Sequence, residues 1–157
     1  MPRISPFVGL RFDTARAGSL ELLTSPPYDL LPPPALERFL AMSEHNVAHL
    51  EGGTVPRDER EYREVAATLA RWRRDGSLVE TPPSAYALEM SYERDGVRTR
   101  TRGILVAMGV EPWGGSVVPH ERTGAAPVED RLRLLRIVRA NLSPIHAILP
   151  GPSPRLA

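Results

Sequence analysis

The sequence predicts a single α+β domain, with a mixed or antiparallel β-sheet and about three helices. Three observations carry that expectation. Residues 58–74 place Tyr62, Val65, Ala66, Leu69 and Trp72 at i, i+3, i+4, i+7 and i+10, one face of a helix. Residues 86–92 alternate Tyr86, Leu88, Met90 and Tyr92 with Ala87, Glu89 and Ser91, which is strand periodicity. Asp95-Gly96 then supplies a two-residue hairpin turn. The length of 157 residues suits one domain able to bury a core without disulfides or metal.

In chain order, residues 4–12 read as a strand, with Phe7, Val8, Leu10 and Phe12 in β-favouring company. Residues 19–23 read as a second short strand. Pro26-Pro27 removes two backbone donors and fixes φ twice, so Tyr28 and Asp29 sit on a rigid loop. Pro32-Pro33-Pro34 leads into a short helix over residues 35–42. Residues 46–51 read as extended and stop at Gly52-Gly53. The helix at 58–74 opens on Asp58 and Glu61, a capping box in its Asp form, and stops at Asp75-Gly76. The Asp95-Gly96 hairpin sets Arg94 opposite Val97, Glu93 opposite Arg98 and Glu89 opposite Arg102. Its charged face continues into Ile104, Val106, Met108 and Val110, so the ribbon is expected to start in solvent and run into the core. A second long helix is expected over residues 127–142, ended by Ser143-Pro144, and a last strand over 145–149. Residues 1–149 form the expected domain, and residues 150–157 a proline-rich disordered tail.

Composition removes whole classes of chemistry. There is no cysteine, which excludes disulfides, zinc–thiolate sites, iron–sulfur clusters and thiol nucleophiles. All 20 basic residues are arginine, so there is no P-loop lysine and no Schiff-base lysine. A net charge of +1 predicts no strong attraction to nucleic acid or anionic lipid. The longest apolar run, residues 104–110, is far shorter than the ~20 residues of a membrane helix, and no signal-like stretch follows Met1. A cytoplasmic protein with no membrane partner is therefore expected.

Two clusters could carry chemistry. Arg98, Arg100 and Arg102 lie on one strand face as a comb for phosphates, but pairing with Glu89 and Glu93 accounts for most of their charge. Nucleic-acid binding is not expected. The second cluster runs from residue 119 to 143. On a helical wheel, Val128, Leu132, Leu134, Leu135, Val138 and Leu142 form an apolar arc that also holds Arg131 and Arg139. A charge there must be paired or must serve a ligand. Asp130 and Asn141 share another edge. Just upstream, His120, Glu121, Arg122 and Thr123 bring a base, a carboxylate, a guanidinium and a hydroxyl to a helix N-terminus, where anions are favoured. Two readings stand for this segment: an anion site using arginine bidentately, or a structural pair of Arg131 with Glu121 or Asp29 and a Thr123 cap. His45 and His49 would share a face only on a helix, so no metal pair is expected from an extended segment. His146 is expected in the core or in a simple hydrogen bond.

Four stretches together resemble the domain of unknown function 1015 family of bacteria and archaea. They are Pro6-Phe7 with Leu10-Arg11; Pro26-Pro27-Tyr28-Asp29; Asn46-Val47 with Leu50-Glu51; and Pro119-His120-Glu121-Arg122-Thr123 followed by Asp130-Arg131, Leu134-Leu135, Ala140-Asn141 and Ser143-Pro144. Leu30-Leu31 stands where the family usually has Val-Ile. Members are typically longer and continue with a Gly-His-His-Arg stretch similar to the nucleotide signature of the ParB and sulfiredoxin superfamily, which includes free-serine kinases; this chain has no such stretch. The resemblance implies the N-terminal part of a nucleotide- or phosphate-dependent enzyme, phosphotransferase-like and linked to serine metabolism by association. ATP or ADP with Mg would be its cofactor, and a small phosphorylated ligand its partner. His120 and Glu121 would then be the catalytic pair, and Arg122, Thr123, Arg131, Arg139, Tyr28, Asp29 and Asn141 the phosphate- or substrate-binding set. The alternative is a non-catalytic, truncated or split module that binds a partner chain supplying the missing region.

Overall fold

The structure is a computed structural model that describes residues 2–51, 57–112, 114–119 and 122–148. Among them, three long helices and three one-turn helices combine with short antiparallel strand pairs, an α+β domain. The N-terminal segment divides into β1 (Ile4–Ser5) and β2 (Leu10–Phe12). It pairs with two separate parts of the chain. β1 lies against β6 (Ala107–Met108), and β2 lies against β3 (Leu78–Glu80). A single bridge, Phe7 to Ser84, joins the two pairings. Gly9 sits where the Tyr86 hydroxyl crosses the backbone, and a Cβ at that position would collide with it.

The core is built on α5 (Glu59–Arg74). Its amphipathic face buries Tyr62, Val65, Leu69 and Trp72, as the spacing predicts. Both halves of the capping box form: Asp58 accepts from the Glu61 N–H at 2.8 Å, and Glu61 accepts from the Asp58 N–H at 2.7 Å. Leu50, Leu78 and Leu134 complete the buried cluster, with Phe12, Ile137 and Val138 against it. Trp72 is fully buried, with Phe12 and His45 tilted against its ring at 5.9 and 5.6 Å.

Two expected strands are one-turn helices instead. Residues 19–23 hold α2 (Leu20–Leu23), where the Thr24 N–H and hydroxyl both donate to the Leu20 carbonyl. Residues 46–51 hold α4 (Ala48–Glu51). The cause is Asn46. Its side-chain oxygen accepts from the Ala48 N–H at 2.9 Å and starts the turn. Its amide nitrogen donates to the carbonyls of Leu22 and Thr24 at 2.8 and 3.2 Å, tying α2 to α4. The remaining one-turn helix is α1 (Thr14–Ala17), and α3 (Pro33–Met42) follows the proline run as expected.

α6 (Ala125–Val138) packs on α5 and ends earlier than its periodicity suggests. Arg139 takes the left-handed conformation (φ 56°, ψ 32°), and its N–H closes on the Leu135 carbonyl at 2.9 Å. No strand follows over residues 145–148, where Ile145, His146 and Ile148 are exposed, so His146 is not in the core. Leu149 and the expected tail lie outside the described residues.

The hairpin of β4 (Tyr86–Arg94) and β5 (Val97–Leu105) has the expected register throughout. Asp95 and Gly96 both take positive φ, 52° and 74°, the paired left-handed turn that matches strand twist. The ribbon does not run into the core, however. Ile104, Met108 and Val110 are exposed and Val106 is only partly buried; among the described residues, β6 pairs only with the two-residue β1.

Candidate functional site

Three of the four family-like stretches come together around the α5–α6 packing, while the first lies apart against β3 and Ser84. Asp130 projects from α6 into the core and is fully buried. A carboxylate there needs partners. Tyr62, from the apolar face of α5, donates its hydroxyl to Asp130 Oδ1 at 2.7 Å. Arg131 reaches back to Asp130 Oδ2 with Nε at 3.0 Å and Nη2 at 2.6 Å. Its guanidinium lies over the Tyr28 ring, 4.1 Å from the centroid. Tyr28 is presented by a short 3₁₀ turn, Tyr28–Leu30, directly after Pro26-Pro27.

A second guanidinium is close. Arg57, just before the α5 cap, is only 5% exposed. One of its nitrogens, Nη2, donates to the Glu51 carbonyl. Its Nε and Nη1 are buried, with no hydrogen-bond acceptor among the described residues. Arg57 also borders a depression of about 220 Å³ with Leu36, Leu40, His49 and Glu61. The Glu51 side chain accepts from the Ser143 hydroxyl, which joins the third family-like stretch to the last.

The electrostatics follow from this packing. Burial alone would push the Asp130 carboxyl up, but the bonds from Tyr62 and Arg131 outweigh it and hold it below the ordinary carboxylate range. Burial and the bond to Asp130 push the Tyr62 phenol up. Burial, then the nearby Arg131 charge, lowers Arg57. The cluster holds Arg131 bonded to the Asp130 carboxylate, with the Arg57 charge acting on both and Glu61 acting on Arg57; its guanidinium donors are of the kind that phosphate accepts.

Not every expected residue joins it. Among the described residues the carboxylate partner of Arg131 is Asp130, not Asp29, which is exposed on the 3₁₀ turn. The N-cap position of α6 is Gly124 rather than Thr123. Arg122 and Thr123 are exposed before the helix. Arg139 and Asn141 follow the left-handed turn and are exposed, so Arg139 is not on a helical apolar arc and Asn141 does not share an edge with Asp130. His120 and Glu121 lie outside the described residues. His45 and His49 point to different partners: His45 Nε2 meets the Ser77 hydroxyl at 2.9 Å, and His49 Nε2 faces the carbonyls of Leu40 and Ser43.

Arg57 and Tyr62 are the members that sequence reasoning missed. A phenol on a buried helix face calls for a polar partner, which is a usable signal for Tyr62. No pattern singles out Arg57. The model of a family described as "protein of unknown function (DUF1015)" matches residues 4–157. The chain belongs to that family. No curated protein and no solved structure matches it. Within this DUF1015 chain, the Pro-Pro-Tyr-Asp loop and the Asp-Arg pair are in direct contact through Tyr28 and Arg131. Among the described residues, no helix is long and apolar enough to cross a membrane.

Proposed function

We propose that this DUF1015 chain carries the phosphate-holding part of a nucleotide- or phosphate-dependent enzyme, phosphotransferase-like, with Arg131 as the anchoring cation. One observation carries the reading. Arg131 is held on one side by both bonds to a buried carboxylate and on its face by an aromatic ring, while about a quarter of its side chain (26%) stays open to solvent. A guanidinium fixed in this way loses little further freedom on meeting an anion. Arg57 supplies further positive charge that Arg131 feels, and its two buried nitrogens without an acceptor among the described residues fit a donor set that serves an anion. With no lysine in the chain, phosphate contacts fall to arginine and backbone N–H groups.

In this reading Asp130, Tyr62 and Tyr28 are positioning residues. ATP or ADP with Mg is the proposed cofactor, and His120 or Glu121 the proposed proton acceptor. Calorimetric titration of the full chain with pyrophosphate, ADP and ATP, with and without Mg, tests it. Wild type binds at least one of them, Arg131→Ala weakens binding about tenfold or more, and Arg131→Lys restores part of it. Thermal melts of the variants separate lost binding from lost folding. No heat of binding with wild type, or equal affinity in Arg131→Ala, overturns the proposal.

A second reading has its own support. Val128, Leu132 and Leu135 form an exposed apolar stripe on α6. This stripe suits a non-catalytic module that docks a partner chain. Copurification of a partner with wild type but not with Leu132→Glu, alongside silent nucleotide titrations, would favour it.

A further inference from the structure

The hairpin has one satisfied edge and one open edge. β5 takes one side of β4 over all nine residues, from Tyr86 opposite Leu105 to Arg94 opposite Val97. Among the described residues, no strand pairs with the other side. In an antiparallel ladder that starts from a two-residue turn, Arg94 and Val97 exchange bonds. The backbone groups of Ala87, Glu89, Ser91 and Glu93 therefore point to the open edge. On one face of β4, Leu88, Met90 and Tyr92 are 50, 43 and 46% exposed. A two-stranded ribbon with an apolar face is marginal in water, and an open apolar edge is a template for another strand.

We propose that β4 of a second copy of this chain pairs antiparallel along this edge, across a two-fold axis at Met90, to make one four-stranded sheet in the order β5–β4–β4–β5. The self-complementary pattern of β4, with matched faces and no like charges directly opposed, selects this arrangement. With the axis at Met90, Leu88 faces Tyr92, Glu89 faces Ser91, Ala87 faces Glu93 and Tyr86 faces Arg94. No like charges are opposed, all nine residues pair, and the apolar side chains of both copies share one face. Moving the axis to Glu89 sets Glu89 against itself, and moving it to Ser91 sets Glu89 against Glu93 twice. An axis at Leu88 or Tyr92 pairs only part of the strand. A slip of one residue puts the apolar face of one copy beside the charged face of the other. Pairing through β5 about its middle residue, Thr101, sets Arg100 against Arg102. The Glu89 charge is already met within its own hairpin, by Arg102 at 2.9 Å and Arg100 at 3.4 Å, so it does not oppose the approach of β4 from the second copy.

The absence of cysteine gives a clean test on the full chain. At a non-hydrogen-bonded antiparallel pair, Cα atoms stand about 4.5 Å apart, within disulfide range. Under mild oxidation, Met90→Cys should give a covalent dimer in high yield, and Thr101→Cys, on the same face of β5, should not. Light scattering after size exclusion should give wild type twice the 17.3 kDa chain mass. Ser91→Pro should give the single-chain mass with unchanged circular dichroism, because the Ser91 N–H serves only the open edge. Wild type that stays at 17.3 kDa up to high micromolar concentration overturns the proposal, including the case where a different protein occupies the edge. A dimer that survives Ser91→Pro, or equal crosslinking of Met90→Cys and Thr101→Cys, also overturns it. Nucleotide binding at Arg131 enters neither readout.

Discussion

The α5–α6 junction and the β4–β5 ribbon use the same ionic chemistry in opposite surroundings. At the junction, Arg131 meets Asp130 at 2.6 Å, and the carboxylate side chain is 1% exposed. On the ribbon, Arg102 meets Glu89 at 2.9 Å, and that carboxylate side chain is 45% exposed. The distances are alike. The difference lies in what each carboxylate would find if its arginine were removed: water and Arg100 on the ribbon, and a closed site with the Tyr62 hydroxyl as its remaining bonded donor at the junction. An exposed pair exchanges one solvation for another, whereas a buried one keeps its charge tolerable only through its partners. The junction therefore couples structure to its polar contacts, and the ribbon does not.

The largest expected effect probes the packing beneath the junction. Trp72→Ala should destabilise the domain by about 3–5 kcal/mol in denaturant unfolding, enough to leave it partly unfolded. Tyr92→Ala on the ribbon should leave the midpoint of the monomer almost unmoved. Next is the buried carboxylate. Asp130→Ala leaves Tyr62 and Arg131 without their acceptor and should lose about 3 kcal/mol.

The same carboxylate gives a pH signature. Its folded pKa lies below the unfolded value of ~3.9. Its stabilising contribution is thus complete at neutral pH and is lost as pH falls through the unfolded value toward the folded one. Asp130→Asn should be less stable than wild type at pH ~7 and should lose this part of the acid lability, so the two stability curves converge below pH ~4. Parallel curves would mean that Asp130 is not held by its partners.

Smaller again, Tyr62→Phe removes one hydrogen bond to a charged acceptor and should lose about 1.5–2 kcal/mol by chemical denaturation. Smallest is Glu89→Gln, which should shift the melting temperature by no more than the error of the measurement. If Glu89→Gln rivalled Tyr62→Phe, burial would not be what separates the two regions.

Particular residues show how far the sequence could be read. The face of α5, its Asp58–Glu61 box and the hairpin register were all legible, because each rests on neighbours a few positions apart. Tyr28 and Arg131 were legible as candidates, but their contact was not. The end of α6 was missed because Arg139 leaves the helix while apolar residues continue the period. The strand reading of residues 46–51 failed because the Asn46 side chain, a turn-former in one role and a bridge between backbone carbonyls in another, holds both at once.

By itself, the sequence determined the local elements whose hydrogen bonds close within a few residues, and the exclusion of cysteine and lysine chemistry. Only the tertiary structure decided which charge meets which. Tyr62 and Asp130 are 68 residues apart in the chain, and Ser143 and Glu51 are 92 apart. The partner of a buried charge is chosen by which side chains the packed helices carry into the same dry space. That choice leaves no period in the sequence, because it depends on how α6 crosses α5 rather than on the order of residues along either helix.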